Sequence, residues 1–528
     1  MSLKSIWVDY CENGSIHGLR HVIQKGEKPW KRFIWILLLV VASIAIVVLV
    51  SASLEKYSYS SMEVAVDDPR YPLTKIDFPA VTICPINKII YSKALELVLN
   101  KHSNDSDLRT KWTNSLIALS RMQFPHNTNL YYIIQNTPTV KIPLDDISDL
   151  MLKLAPTIDD IFIKCFWRGV AVKCRNILRL QRTEEGFCYS FNSQTSERST
   201  TDYNNINPPF VGPDGILIPL RNNVAGKETG LKLIMSNMSS EFFPTDNRRR
   251  GFDGLHRNRH IMEESKSIFS EQVMVHPPDG FPDVATAYKV HAVRDRITRI
   301  SVSVAQVEAD ESLNRLDIQN SPCYLFRAVA KNLNSLFFKS SNENTCFIKC
   351  RMKAIYHACN CTQYFFKVYK GLGNHCGIEH IPCLIANDIL QRNPKIPKGE
   401  PGFPKWSVPF SMNCSCKPPC SFTTYTTELR YEFRQFINKE PSFSRYDVFL
   451  EVNYRELFAT SYRRSMRYTN QDLLVSFGGV ASLFLGCSLV SIVEILYVIY
   501  KSFLAIVRNQ YNNYKLKNNP ARPDATAI

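Results

Sequence analysis

Small and hydroxyl-bearing residues are concentrated in one apolar stretch near the C-terminal end of the chain, and a carboxylate follows them. The stretch covers residues 473–493, contains no charged side chain, and is followed directly by Glu494. Its small residues are Ser476, Gly478, Gly479, Ser482, Gly486, Ser488 and Ser491. Close helix packing in lipid is one explanation of such a pattern. A carboxylate at the end of an apolar span costs free energy unless it faces water or a partner, so Glu494 favours a second explanation, a polar path through the membrane.

Two apolar segments are long enough to carry such a path across a bilayer. Residues 33–54 are uncharged and would form a helix of about 33 Å, against about 30 Å for a hydrocarbon core. A cleaved signal peptide is the alternative, but the segment starts after 32 residues and exceeds the usual apolar length of about 7–15 residues. We therefore predict transmembrane helices at residues 33–54 and 473–500.

The charges beside the spans indicate how the chain is oriented. Two spans place both termini on one side, and basic residues precede the first span and follow the second: Lys25, Lys28, Lys31, Arg32, Lys501 and Arg508. The positive-inside rule then predicts a cytoplasmic arm at 1–32, a cytoplasmic tail at 501–528 and an extracellular domain at 55–472 in the plasma membrane. Arg463, Arg464 and Arg467 lie outside the second span and weaken this rule, so the orientation needs a second argument.

The distribution of cysteine supplies that argument. Of 16 cysteines, Cys11 is in the arm and Cys487 in the second span, and the other 14 lie between the spans. An even set confined to one compartment is typical of a disulfide framework in an oxidising space. Sequons at Asn104 and Asn237 agree with an extracellular location. A zinc site is the alternative, but zinc usually takes C-x₂₋₄-C pairs in reducing compartments. Spacing alone leaves the pairing of the cysteines open.

Other classes of function find little support. The formal net charge is +16, but the basic residues are spread along the chain, which indicates a solvated basic surface and no nucleic-acid partner. Catalytic patterns such as G-x-S-x-G, a phosphate-binding loop or H-E-x-x-H do not occur. We expect no enzyme activity, no bound metal and no cofactor other than a permeant Na⁺.

Local patterns within the extracellular domain predict both strands and helices. The predicted strands are 273–275 and 447–458, the second with alternating polarity. The predicted helices are 147–154, 325–336 and 346–357, and residues 246–260 and 393–409 are predicted loops. The fold class is therefore an α+β membrane protein with two transmembrane helices flanking a large disulfide-rich domain of strands and helices.

Five motifs in order resemble the family of degenerins, epithelial sodium channels and acid-sensing channels. His17-Gly18 stands where that family has its N-terminal HG pair, and residues 78–84 (FPAVTIC) resemble the block after its first span. Residues 165–169 (CFWRG), residues 186–192 (GFCYSFN) and the cysteine-rich run 346–420 are similar to three further blocks. The HG block and residues 476–479 (SFGG) are most similar to the insect pickpocket branch.

The resemblance implies an architecture and a set of disulfides. The extracellular domain is expected to have the hand-like form of that family, with palm, thumb and finger parts, in a homo- or heterotrimer with related channel subunits. The implied bridges are Cys84–Cys188, Cys165–Cys174, Cys323–Cys420, Cys346–Cys416, Cys350–Cys414, Cys359–Cys383 and Cys361–Cys376. Each can stabilise the fold by about 2–4 kcal/mol, and together they stiffen the domain enough to pass a movement to the membrane.

The resemblance also implies roles within the second span. Gly486-Cys487-Ser488 matches the G-x-S selectivity motif, so three copies would present backbone carbonyls and Ser488 hydroxyls to a partly dehydrated cation. Glycine at 486 lets the backbone leave helical geometry, and Cys487 is expected to pack against a neighbouring helix. Glu494 would form a ring of negative charge. Gate residues are expected at Gly478 and Gly479 and at the position that family members keep small, which falls at Val475 or Ser476.

The function implied by these roles is a subunit of a sodium-selective or cation-permeable channel. It is expected to be sensitive to amiloride, gated through the extracellular domain with His17 and Gly18 taking part, and active in sensory signalling. Some family members have an aspartate where this chain has Ser476, so conductance and blocker affinity are open. The alternatives are an ATP-gated trimeric channel, for which no clustered phosphate-binding cations are evident, and a two-span scavenger or lipid-transfer receptor. The sequence does not indicate the gating stimulus, the identity of any extracellular ligand or the partner subunits.

Overall fold

The computed structural model describes most of the chain. The residues described are 3–24, 26, 28–58, 62–85, 87–124, 128–143, 147–197, 217–236, 241, 272–284, 296–315, 323–324, 343–366, 373–393, 412, 414, 416–433 and 447–518. The predicted helix 325–336, the loop 246–260, nearly all of the loop 393–409 and the sequon at Asn237 lie outside them. The chain forms two compact units: Met1–Val64, Asp310–Leu313 and Ser465–Ile528 make the first, and Ala65–Ala309 with Asn314–Arg464 make the second.

The elements are numbered along the described parts of the chain. The helices are α1 (Leu3–Asn13), α2 (Leu19–Ile23), α3 (Pro29–Ser58), α4 (Tyr91–Lys101), α5 (Ser106–Ser120), α6 (Thr128–Asn136), α7 (Ile147–Leu154), α8 (Ile158–Ile161), α9 (Cys174–Ile177), α10 (Glu343–Cys359), α11 (Ile381–Ala386), α12 (Asp388–Arg392), α13 (Asn470–Leu485) and α14 (Leu489–Asn518). The strands are β1 (Met62–Pro72), β2 (Ala80–Cys84), β3 (Phe162–Trp167), β4 (Val170–Val172), β5 (Leu178–Thr183), β6 (Gly186–Phe191), β7 (Leu231–Met235), β8 (Gln272–His276), β9 (Arg296–Ala309), β10 (Phe422–Phe433), β11 (Val448–Tyr454) and β12 (Phe458–Met466).

The first unit is helical and contains both candidate membrane spans. Among the described residues, Pro29–Ser58 and Leu489–Tyr511 are long and apolar enough to cross a membrane. Helix α3 begins at Pro29, where a proline costs no hydrogen bond because the first helical N–H groups are unpaired in any case. Its 30 residues extend about 45 Å, which is longer than the predicted span of 33–54.

The predicted transmembrane helix 473–500 consists of two helices in the structure. The structure has α13, then a break at residues 486–488, then α14. Helix α13 begins at 470 because Thr469 and Asp472 form a capping box, in which the Thr469 N–H donates to Asp472 Oδ2 at 2.8 Å. The apolar run continues across the break, so hydropathy gives no sign of it. Helix α14 then runs on to Asn518, so much of the predicted polar tail is helical.

The second unit is built on two sheets. The larger sheet has eight strands in the order β1-β12-β9-β11-β7-β3-β4, with β10 also paired to β9. Strand β9 organises it: one edge pairs antiparallel with β10, and the other pairs in parallel first with β11 and then with β12. The smaller sheet has the order β5-β6-β2-β8. Strand β8 confirms the prediction of a strand at 273–275, and α7 and α10 confirm the helices predicted at 147–154 and 346–357.

The prediction of a single alternating strand over 447–458 is wrong. The chain forms β11 and β12, separated by residues 455–457. All seven residues of β11 are buried. This strand lies between β9 and β7 in the sheet, and a central strand covered on both faces has no solvent face for its polar residues.

Seven disulfides secure the second unit, and they join the same pairs that the resemblance implies. Cys84–Cys188 ties β2 to β6, and Cys165–Cys174 ties β3 to α9. Four of the other five start from α10 or the two residues after it. Cys346 and Cys350 are one helical turn apart, so both of their bridges leave α10 on one side.

Candidate pore-lining site

The break between α13 and α14 is made by a glycine. Gly486 adopts φ 66° and ψ 16°, a left-handed conformation that other residues adopt only with strain. Its N–H and that of Cys487 donate to the carbonyls of Ser482 and Ala481 at 2.9 and 3.3 Å, which closes the last turn of α13. The expectation that Gly486 lets the backbone leave helical geometry is therefore confirmed.

Two serines start the helix after the break. The Ser491 N–H donates to Ser488 Oγ at 3.3 Å, and the Ser488 N–H donates to Ser491 Oγ at 3.0 Å. This reciprocal arrangement caps α14. Residues 486–488 thus form a short non-helical segment between two helices, in which the Ser488 carbonyl accepts the Ile492 N–H of α14 at 3.3 Å.

The N-terminal arm folds onto α14. Ile6 and Tyr10 of α1 are buried together with Val498, and Ile16 and Ile495 pack against this cluster. The spacing of Leu3, Ile6, Trp7 and Tyr10 is that of an amphipathic helix and could have revealed α1 from the sequence. The sequence analysis assigned residues 1–32 to an arm that contains the HG pair and predicted no helix in it.

The turn after α1 brings the HG pair to the break. The His17 N–H donates to the Leu485 carbonyl at 3.0 Å, which gives a partner to a carbonyl at the end of α13. The His17 ring lies against the backbone of Gly486, since a Cβ at 486 would be 1.6 Å from His17 Nδ1. Gly18 has φ 87°, and a Cβ there would be 3.4–3.5 Å from Leu39 and Trp35 of α3. His17 and Gly18 therefore join the site that contains Gly486.

Ser15 connects the same turn to the start of α14. Its N–H and its hydroxyl lie 3.2 and 2.8 Å from Glu494 Oε2, and its hydroxyl lies 2.7 Å from Ser491 Oγ. The Ser491 side chain is fully buried, and Glu494 is half-buried. Sequence reasoning missed Ser15 altogether and gave Ser491 no role of its own. Their partners are 476 and 479 residues away along the chain, and no local pattern signals such a contact.

The predicted gate residues divide between two sides of α13. Ser476 Oγ lies 3.0 Å from Ser53 Oγ, so this side chain contacts α3 of the same chain. Val475 is 72% exposed, and a Cβ at Gly478 or Gly479 would meet nothing within 4 Å. The structure thus groups Val475 with the two glycines on open surface and places Ser476 against α3.

The second unit holds a buried charge cluster outside this site. Arg351 Nη1 of α10 lies 2.5 Å from both carboxylate oxygens of Glu184 and 3.7 Å from Asp283 Oδ1. Burial, the largest effect, raises the pKa of Glu184 to about 7, although the Arg351 charge opposes it. His276 is also buried and bonds to Thr82 Oγ1 at 2.8 Å. Burial lowers the pKa of His276 to about 4, which suits a structural group better than a sensor.

Two other expectations concern surface chemistry. Asn104 is exposed in the turn before α5, as an acceptor of a glycan must be. Among the residues that the structure describes, no group of three or more His, Cys, Asp or Glu side chains is placed to hold a metal ion. Cys11 and Cys487 are the free cysteines of the described regions, and both are half-buried.

The described residues combine two helices long enough to cross a membrane, a break at Gly486 before the second of them and a disulfide-rich unit, which are the features of a two-span membrane protein. The family model described as "Amiloride-sensitive sodium channel" matches residues 10–498. The chain belongs to this family, and the resemblance drawn from its motifs is confirmed. Members of the family are ion channels and not enzymes.

Relatives cover nearly the whole chain at low identity. Pickpocket protein 19 of Drosophila melanogaster is 24% identical over 94% of this chain and 91% of its own length. The sodium channel protein Nach of Drosophila ananassae is 23% identical over 97% and 88% of the two chains. Acid-sensing ion channel 4 of Rattus norvegicus is 21% identical over 93% and 78%. Family and relatives together indicate a cation channel.

Proposed function

We propose that this chain is a subunit of a sodium-selective, amiloride-sensitive cation channel that is gated through its extracellular domain and serves sensory signalling. The observation that carries the proposal is the non-helical segment at residues 486–488, in a chain that the family model matches from residue 10 to 498. A continuous helix would use its carbonyls internally, whereas a broken one leaves carbonyl groups for a cation that has lost part of its water.

The proposed filter is Gly486, Cys487 and Ser488. In a trimer with related subunits, homomeric or heteromeric, three copies of this segment would surround the ion path. Carbonyl oxygens and the Ser488 hydroxyl would replace part of the hydration shell of Na⁺. Cys487, which carries a soft thiol, is not proposed as a ligand, because Na⁺ is a hard cation that prefers oxygen.

Glu494 is proposed to supply negative charge below the filter. Three carboxylates in a ring would raise the local concentration of cations and repel anions. At the other end of α13, we propose Val475, Gly478 and Gly479 as the gate surface. This choice rests on the exposure of Val475 and on the contact of Ser476 with Ser53. That contact turns Ser476 away from the proposed gate surface.

The proposed orientation places both termini in the cytoplasm. Its support is the basic residues beside the spans and the distribution of oxidised cysteine. All seven disulfides of the described regions lie between the two membrane segments, and both free cysteines lie outside that stretch. Five bridges fall within residues 323–420, and a stiff domain of this kind can transmit a stimulus to the membrane helices.

Voltage-clamp recording tests the proposal. The chain is expressed alone and with related subunits, and external Na⁺ is exchanged for a large organic cation, with and without amiloride and across external pH. We expect an inward current that disappears without Na⁺ and falls with amiloride. Surface labelling controls for delivery to the membrane. Abundant surface protein with no cation current in any combination would contradict the proposal.

A further inference from the structure

An asparagine sequon lies at the C-terminal end of α10. It consists of Asn360, Cys361 and Thr362 (N-C-T), and its asparagine is exposed. Asn360 has φ 52°, in the left-handed region that asparagine tolerates better than most residues. Its N–H donates to the Tyr356 carbonyl at 2.8 Å, which closes the last turn of the helix. The sequon therefore lies in a defined turn, with its asparagine at the surface.

The threonine of the same sequon is buried. Thr362 is 1% exposed. Its N–H donates to the Asn374 carbonyl at 2.9 Å, and its own carbonyl accepts the Cys376 N–H at 2.7 Å. The Cys361–Cys376 bridge, with a sequence separation of 15, closes the loop that makes these contacts. The folded chain thus exposes the asparagine of the sequon and covers its threonine.

N-linked glycosylation uses both residues. It joins the asparagine amide nitrogen to a sugar, and it requires a serine or threonine two residues further on. The donor is an oligosaccharide on a polyprenyl diphosphate. A C–N bond forms between Asn360 Nδ2 and the anomeric carbon, and the bond from that carbon to the diphosphate oxygen breaks. The polyprenyl diphosphate leaves, and one Nδ2 proton goes to a base of the transferase.

The two states of the sequon set an order of events. The transferase must contact Thr362, so it acts before Asn374 and Cys376 have bonded to the backbone of that residue. Synthesis at about 5–20 residues per second delivers Cys376 about 1–3 s after Cys361, and disulfides form over seconds to hours. The sequon is accessible in this interval, and the exposed asparagine leaves room for the product in the folded chain.

We propose that Asn360 carries an N-linked glycan, which is added before the Cys361–Cys376 bridge closes. The inference rests on the orientation in the proposed function, which places residues 55–472 outside the cytoplasm. A glycan is bulky and solubilising, so it extends into solvent in the assembled channel. The C-terminal end of α10 is then a surface that no neighbouring subunit covers.

Peptide mapping of the full chain, purified from animal cells, tests the proposal. Removal of glycans by a glycosidase in heavy-oxygen water converts each glycosylated asparagine to a labelled aspartate, which mass spectrometry locates. We expect the label at residue 360 in most copies of the chain. Asn360→Gly removes the acceptor and suits the positive φ, so this variant should fold and lose one glycan in mobility on a gel. Recovery of residue 360 as unlabelled asparagine overturns the proposal.

Two other sequons are matched controls. Asn104 is exposed and has no cysteine in its sequon, and Asn13-Gly14-Ser15 lies on the arm that is proposed to be cytoplasmic. We expect label at Asn104 and none at Asn13. Label at Asn104 without label at Asn360 overturns this inference and leaves the orientation intact. Label at neither Asn104 nor Asn360 overturns the inference and also counts against the orientation.

Synthesis of the full chain in the presence of microsomes tests the order of the two reactions. A thiol oxidant added during synthesis closes bridges early. We expect it to abolish most of the label at Asn360 and to leave the label at Asn104 unchanged. Cys361→Ser combined with Cys376→Ser should restore the label at Asn360 under the same oxidant. Labelling of Asn360 that the oxidant does not change would overturn the proposed order.

Discussion

Replacement of Gly486 by alanine is the perturbation whose effect the structure defines best. Two costs arise together. A left-handed residue with a Cβ costs about 1–2 kcal/mol, and φ at this position is 66°. The added Cβ would also lie 1.6 Å from Nδ1 and 2.0 Å from Cε1 of His17, so the ring cannot stay where it is.

The displacement of His17 extends the effect to the arm. Relief of the clash also moves the His17 backbone, whose N–H then loses its hydrogen bond to the Leu485 carbonyl at a cost of about 1 kcal/mol. Together, the two costs disfavour docking of the arm by about 2–3 kcal/mol, which lowers the equilibrium constant for docking by about 100-fold. We expect Gly486→Ala to lose most of its selective current at unchanged surface density. The half-buried thiol of Cys11 should react faster with a labelling reagent, with the modified cysteine identified by mass spectrometry.

A second glycine provides a control in which alanine introduces backbone strain without a steric clash. Gly226 has φ 102°, and a Cβ there would meet nothing within 4 Å. Gly226→Ala therefore carries the backbone cost without the clash, and we expect its current and its Cys11 labelling to match the unmodified protein. A second-site change, His17→Ala added to Gly486→Ala, should slow the labelling of Cys11 again because the clash is gone. Normal ion preference together with normal labelling in Gly486→Ala would refute the reasoning.

Three further predictions concern the disulfide-rich second unit and the arm. Burial raises the pKa of Glu184 from 4.5 to about 7, so the folded state binds this proton more tightly than the unfolded state does. The resulting stability is complete below about pH 4.5 and is lost as pH rises through 7. Glu184→Gln should flatten that part of a plot of thermal stability against pH, and an unaltered plot contradicts the assignment. Replacing both Cys350 and Cys414 by alanine should destabilise the domain by only about 2 kcal/mol in denaturant titrations, because Cys346–Cys416 still closes nearly the same loop; no measurable loss would show that this bridge adds no constraint. Tyr10→Ala removes a buried ring between α1 and α14 and should release the arm at a cost of about 3 kcal/mol, seen as faster hydrogen exchange in α1; unchanged exchange would mean that other contacts hold the helix.

Much of the molecule was predictable from simple patterns. Apolar length located the first candidate span, but for the second it gave 473–500, whereas the helix long enough to cross a membrane is Leu489–Tyr511. The confinement of 14 cysteines between the two apolar segments indicated an oxidised domain. The pairing of those cysteines came from the resemblance to a family, because spacing permits many alternatives. Gly486 was identified as the residue that leaves helical geometry. The end of one helix at Leu485 and the start of the next at Leu489 could not be located from hydropathy, because the apolar run continues through residues 486–488.

The remaining features depend on distant parts of the chain. The Ser15–Glu494 contact joins residues 479 positions apart, and neither has a neighbouring pattern that names the other. The burial of all of β11 depends on strands on both sides of it, so alternation of polarity along the strand was a misleading guide. Sequence patterns report local geometry and average burial. They do not report which side chains meet when separate elements pack.

Recording from the purified chain in a planar bilayer tests the central claim most directly. With Na⁺ on one side and K⁺ on the other, a channel built on Gly486–Ser488 should pass a cation current whose reversal potential favours Na⁺. The same preparation of Gly486→Ala should lose that preference. Folded, correctly inserted protein that passes no cations, or that passes Na⁺ and K⁺ equally with and without the substitution, would contradict the account.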